Sequence, residues 1–92
     1  MPPHQPTVVI LQMSDDPSRQ LDARGLRCPL PLLKLKQTLH GMIGGEEIEV
    51  WTTDPGSVRD FQAFLRQSGH QLLDITESPE ENYFLIRKKP ED

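Results

Sequence analysis

The chain has 92 residues, ten basic and fourteen acidic, for a formal charge of −4. That length suits one small α/β or α+β domain with a modest core. The single cysteine excludes an internal disulfide, and His4, His40 and His70 lack metal-ligand spacing, so neither a metal nor a cofactor is expected.

Residues 1–17 hold Pro2, Pro3, Pro6 and Pro17 with the acidic pair Asp15 and Asp16, and read as a flexible tail. Within it the apolar run Val8 to Leu11 has the composition of a short extra strand. The domain proper is expected over residues 18–89, with residues 90–92 a C-terminal tail. A strand over Arg19 to Ala23 ends at Gly25. A helix follows from Pro29 to about His40, with Leu32, Leu35 and Leu39 on one stripe and Gly41 as its C-terminal cap. Glu47 to Thr53 alternates, Ile48 and Val50 on one face and Glu47 and Glu49 on the other, the pattern of a half-buried strand. Trp51 falls on that polar face or on an edge.

Asp54-Pro55 is expected to open a second helix, Asp54 as cap and Pro55 at the first helical position. Its apolar stripe is Val58, Phe61, Phe64 and Leu65, and Gly69 ends it. Gln71 to Glu77 and Tyr83 to Lys88 alternate as two further strands, joined by the turn residues Ser78 to Asn82. The order β-α-β-α-β-β, with right-handed crossovers, predicts a two-layer sandwich: a mixed four-stranded sheet with both helices on one face.

Chemistry concentrates in Leu21-Asp22-Ala23-Arg24-Gly25-Leu26-Arg27-Cys28-Pro29-Leu30-Pro31. Two prolines so close would break a helix interior, but the first-turn amides have no carbonyl partner within the helix, so Pro29 and Pro31 cost little there. This places Cys28 at the N-cap, facing the positive end of the helix dipole. Such a site, with Arg24 and Arg27 nearby in sequence, is expected to lower the thiol below its usual pKa of about 8.5 and make Cys28 a nucleophile. The surrounding charge agrees: residues 18–45 carry Arg19, Arg24, Arg27, Lys34 and Lys36 against the one acid Asp22. Arg24, Arg27 and Lys34 are thus candidates to stabilise a thiolate or to meet an acidic partner.

The Cys28-Pro29-Leu30-Pro31 segment, Lys34 in the following helix, Thr53-Asp54-Pro55 and the ending Tyr83-Phe84-Leu85-Ile86-Arg87-Lys88 together resemble the TusA/SirA sulfur-carrier family over residues 20–89. The resemblance implies the β-α-β-α-β-β fold, and a cysteine, here Cys28, that accepts sulfane sulfur as a persulfide and passes it on. It makes the chain a sulfurtransferase in the loose sense, not an independent rhodanese. It implies a donor such as a cysteine desulfurase or rhodanese and a downstream acceptor protein. It also suggests that Asp54 lies near Cys28. Leu30 departs from the pattern, since members serving transfer-RNA thiolation tend to carry an acid between the prolines. Transfer-RNA thiolation, molybdenum cofactor maturation and sulfur oxidation all stay open as pathways.

Two other classes compete. A thiol redox sensor would use the same cysteine, but no resolving cysteine is present. A small RNA-binding module would use the basic stretch, against which stand a pI near 5.3 and few aromatics, so direct nucleic-acid binding is not expected. Met1 to Gln12 lacks the basic start and apolar run of a secretory leader, and no segment has membrane-helix length. A cytoplasmic monomer with a reduced thiol is the expectation.

Overall fold

A computed structural model describes residues 19–90, so the residues 1–17 tail, with its candidate strand at Val8 to Leu11, lies outside the described residues. Four strands and two helices follow in the order β1 (Arg19–Ala23), α1 (Leu30–His40), β2 (Glu47–Thr52), α2 (Ser57–Ser68), β3 (Gln71–Glu77) and β4 (Asn82–Arg87). The sheet order is β1-β2-β4-β3. β1 runs parallel to β2, Leu21 opposite Val50, while β4 is antiparallel to both β2 and β3. Each helix therefore bridges two parallel strands, and β4 is laid between β2 and β3 by the final hairpin. This is the two-layer α+β sandwich that the alternation predicts.

The core lies between the sheet and the helices because each element turns one apolar set inward. β2 buries Ile48, Val50 and Thr52, and β4 buries Asn82, Phe84 and Ile86 in the alternate positions of its register. α1 contributes Pro31, Leu35 and Leu39, one residue per turn, with Leu32 partly covered. α2 contributes Phe61 and Leu65, flanked by Val58 and Phe64. Phe61 and Phe84 meet at 4.5 Å between ring centroids with their planes tilted by 40°. Aromatic pairs in tilted contact add about 0.5–1.5 kcal/mol to what burial alone supplies. In β3 the register slips between Leu72 and Asp74. Leu72 and Ile75 pack on the core, while Leu73 is exposed.

The opposite sheet face is polar, as expected, and Trp51 lies on it in an interior strand, not on an edge. Its ring contacts Tyr83, whose hydroxyl donates to Glu49 at 2.8 Å. Arg87 donates to Glu47 on the same face.

Both helices, β2 and β4 start or end one or two residues from the sequence-based expectation. The second helix begins at Ser57, not Pro55, because the turn before it closes on itself. The Asp54 carboxylate accepts the Gly56 amide at 2.9 Å, and the Asp54 carbonyl accepts the Ser57 amide at 3.1 Å. Asp54 therefore caps this turn and leaves the helix itself without a side-chain cap. β2 stops at Thr52 because Thr53 turns its hydroxyl to the Gly25 amide, 2.9 Å away. β4 starts at Asn82 and ends at Arg87, one residue before the expected Tyr83 to Lys88 at each end. Gly41 does cap α1, its amide donating to the Thr38 carbonyl and the following Met42 amide to that of Leu39, while Gly69 ends α2 in the left-handed conformation at φ 87°. That conformation is cheap only without a Cβ.

Candidate active site at the start of the first helix

Parallel pairing of β1 with β2 brings two strand-to-helix junctions side by side. The Gly25 bond to Thr53 ties the loop after β1 to the segment after β2. Just beyond it, the Leu30 amide donates to the Arg27 carbonyl at 2.8 Å, closing a tight turn with Cys28 and Pro29 at its centre. The Cys28–Pro29 peptide is cis. Pro29, not Cys28, occupies the N-cap of α1, and no side chain caps that helix. Cys28 sits one residue earlier, inside the turn that the Leu30 amide closes. Pro31, in the first helical turn, is buried and anchors the helix start to the core.

The Cys28 thiol is exposed. Its Sγ donates to Oδ2 of Asp60, at 3.0 Å, in the first turn of α2. This contact reverses the expected electrostatics. The hydrogen bond to Asp60 pushes the Cys28 thiol up from its ordinary value, reinforced by desolvation and by the negative charges of Asp60 and Asp54. Arg59 pulls weakly the other way. The thiol is therefore held protonated, not primed as a thiolate.

Arg24 turns its guanidinium to acids rather than to Cys28. Its guanidinium forks onto Asp22 at 2.8 and 3.0 Å and reaches Glu81 at 3.2 Å. The Asp22 carboxyl drops to about 2 as a result, chiefly through the Arg24 side-chain hydrogen bond, and Arg24 itself is pushed upward. Arg27 and Lys34 are exposed, and neither forms an ion pair among the described residues. Leu30 and Leu33 in the first turns of the helix that follows the thiol are 45% and 46% exposed.

Asp54, expected near the thiol, stands close enough for its charge to act on Cys28, while its carboxylate is spent on the Gly56 amide. Asp60 was invisible to local reading, being 32 residues from Cys28. The one available signal was an acid in the first turn of a helix starting at the neighbouring junction. Among the described residues no group of three or more His, Cys, Asp or Glu could hold a metal ion.

Against this geometry, similarity to known proteins is specific. A family model described as Sulfurtransferase TusA matches residues 19–88. A sulfur carrier protein TusA from Allochromatium vinosum is 48% identical over 73 residues, covering 79% of this chain and 96% of that protein. A putative sulfur carrier protein from Neisseria meningitidis serogroup A is 50% identical over 60 residues, covering 65% of this chain and 81% of that protein. In fold, the crystal structure of a SirA-like protein from Desulfitobacterium hafniense matches with a TM-score of 0.66 at 20% identity, covering 77% of this chain and 97% of that one. With its family match spanning the whole two-layer domain, the chain belongs to the TusA sulfurtransferase family.

Proposed function

We propose that the chain is a sulfur carrier that holds sulfane sulfur on Cys28 as a persulfide, between a donor protein and an acceptor protein. The observation that carries this reading is a single exposed thiol at the strand-to-helix junction of a chain whose relatives are named sulfur carriers. In loading, Sγ of Cys28 attacks the outer sulfur of a donor persulfide, on a cysteine desulfurase or a rhodanese. The donor S–S bond breaks with its electron pair on the donor's inner sulfur, and the proton lost from Cys28 ends on that sulfur. Cys28–SH and R–S–SH become Cys28–S–SH and R–SH, so no external oxidant or reductant is needed. An acceptor thiolate then repeats the attack on the outer sulfur. With one cysteine in the chain, no internal thiol can discharge the persulfide.

The docking surface in this reading is the exposed run of Arg27, Leu30, Leu33 and Lys34 beside the thiol. Bare leucines give an apolar centre and the two cations favour an acidic partner. Leu30 in place of an acid between the prolines makes this surface more apolar, which favours an acceptor other than one selected for an acidic contact there. Donor and acceptor meet a cytoplasmic monomer. Among the described residues no helix is long and apolar enough to cross a membrane. A redox-sensor role fits less well, since sensor thiols are those with depressed pKa values.

Incubation with a cysteine desulfurase and cysteine should add the mass of one sulfur to the wild-type chain, and a reductant should remove it. Cys28→Ser should keep the fold, because Cys28 is exposed, and gain no mass. Loading of that variant, or none of the wild type, would end the carrier reading.

A further inference from the structure

In the 3.0 Å contact between Cys28 and Asp60 the thiol donates and the carboxylate accepts, a bond that needs the proton on sulfur. Loss of that proton would leave two negative atoms in contact. The charged groups whose fields reach the thiol come from two places: Asp60 and Arg59 in α2, and Asp54 in the turn before it. The two acids outweigh the one cation, because Asp60 touches the sulfur. On the side of α1, Arg27 and Lys34 are exposed to solvent. We propose that Asp60 is a positioning residue for Cys28, holding it as an aimed, protonated thiol between encounters and so restraining its reaction with small electrophiles and oxidants.

The proposal rests on the reading of Cys28 as the sulfur-carrying group, and it adds the residue that keeps that group in reserve. A carrier must travel with its only thiol exposed. Alkylation and peroxide oxidation both proceed through the thiolate, so a carboxylate that suppresses ionisation slows both. A partner that neutralises Asp60 on docking would release the sulfur, and Asp60→Asn mimics that state permanently.

The test compares wild type, Asp60→Asn, Asp60→Ala and Asp60→Glu, each verified as folded by circular dichroism. The readout is the iodoacetamide alkylation rate of Cys28 across a pH series, with hydrogen peroxide oxidation at neutral pH as a second measure. Asp60→Asn and Asp60→Ala should alkylate several-fold faster at neutral pH, with the pH midpoint moved lower. Asp60→Glu, which keeps the charge, should stay closer to wild type. A purely structural role would lower the melting temperature without moving the midpoint. Wild-type midpoints in both the Asn and Ala variants would overturn the proposal. Alkylation does not depend on persulfide transfer. A wild type that fails to load sulfur, with the midpoint still shifted in the Asn and Ala variants, therefore sinks the carrier reading alone.

Discussion

The Asn82 side-chain amide donates to Oγ1 of Thr52 at 3.2 Å, joining the first residue of β4 to its register partner at the end of β2. The Thr52 and Ser57 hydroxyls hydrogen-bond to each other, and Asn82 also lies 3.5 Å from the Ser57 hydroxyl and from the Asp54 carbonyl. This buried polar knot fixes where α2 starts, and therefore where Asp60 stands. Asn82→Ala strips the knot of its amide donor while Thr52 and Ser57 keep each other. Removing one partner from a buried hydrogen-bonded group costs about 1–3 kcal/mol. Urea unfolding should show a lowered midpoint of that size, and an unchanged midpoint would mean the knot is not stabilising.

Phe61 is fully buried against Phe84 and joins α2 to the centre of the sheet. Phe61→Ala should destabilise the domain by about 3–5 kcal/mol, from lost transfer energy plus the cavity left behind. That is a large share of the ~5–15 kcal/mol that typically separates folded from unfolded domains. Denaturant titration should record it as a fall in midpoint with little change in slope.

Tyr83, the chain's one tyrosine, has its hydroxyl pushed up to about 12 by desolvation first and by the hydrogen bond to Glu49 second. An unfolded tyrosine titrates near 10. The raised value means the folded state holds this proton more tightly. The contribution is complete below pH ~10 and is lost as pH rises from there through the folded value. Tyrosinate absorbance of the native protein should therefore rise at higher pH than in the unfolded chain. In Tyr83→Phe the alkaline loss of stability should be smaller than in wild type. A native absorbance midpoint at the unfolded value would contradict the Glu49 contact.

Charge reversal at Arg27 or Lys34 should slow sulfur transfer from a donor protein and flatten its dependence on salt. Both side chains are exposed and outside any ion pair among the described residues, so stability should change by no more than about 0.5 kcal/mol. Stopped-flow transfer rates over a salt series would decide this. Identical rates for wild type and variants at every salt concentration would remove the electrostatic part of docking.

Local pattern carried most of the fold. Alternation marked β3 and the stop at Gly25 marked β1 at their observed limits, Gln71–Glu77 and Arg19–Ala23, and the glycines at 41 and 69 closed the helices where they were expected to. These signals are legible because side-chain direction repeats every two or 3.6 residues along the chain itself. The helix starts were harder. Asp54 and the Arg27–Leu30 turn each satisfy backbone amides before the helix begins, and such closures look the same in sequence as a cap. Proximity in sequence misled most at Cys28. Arg24 is four residues away yet turns back to Asp22, while the group that governs the thiol, Asp60, arrives from 32 residues away. The sequence by itself determined the element order, the apolar faces and a single cysteine before two prolines. The tertiary structure alone decided the sign of that cysteine's ionisation. Only the parallel pairing of β1 with β2 sets the two helix starts side by side, and an electrostatic field depends on distance in space, not along the chain.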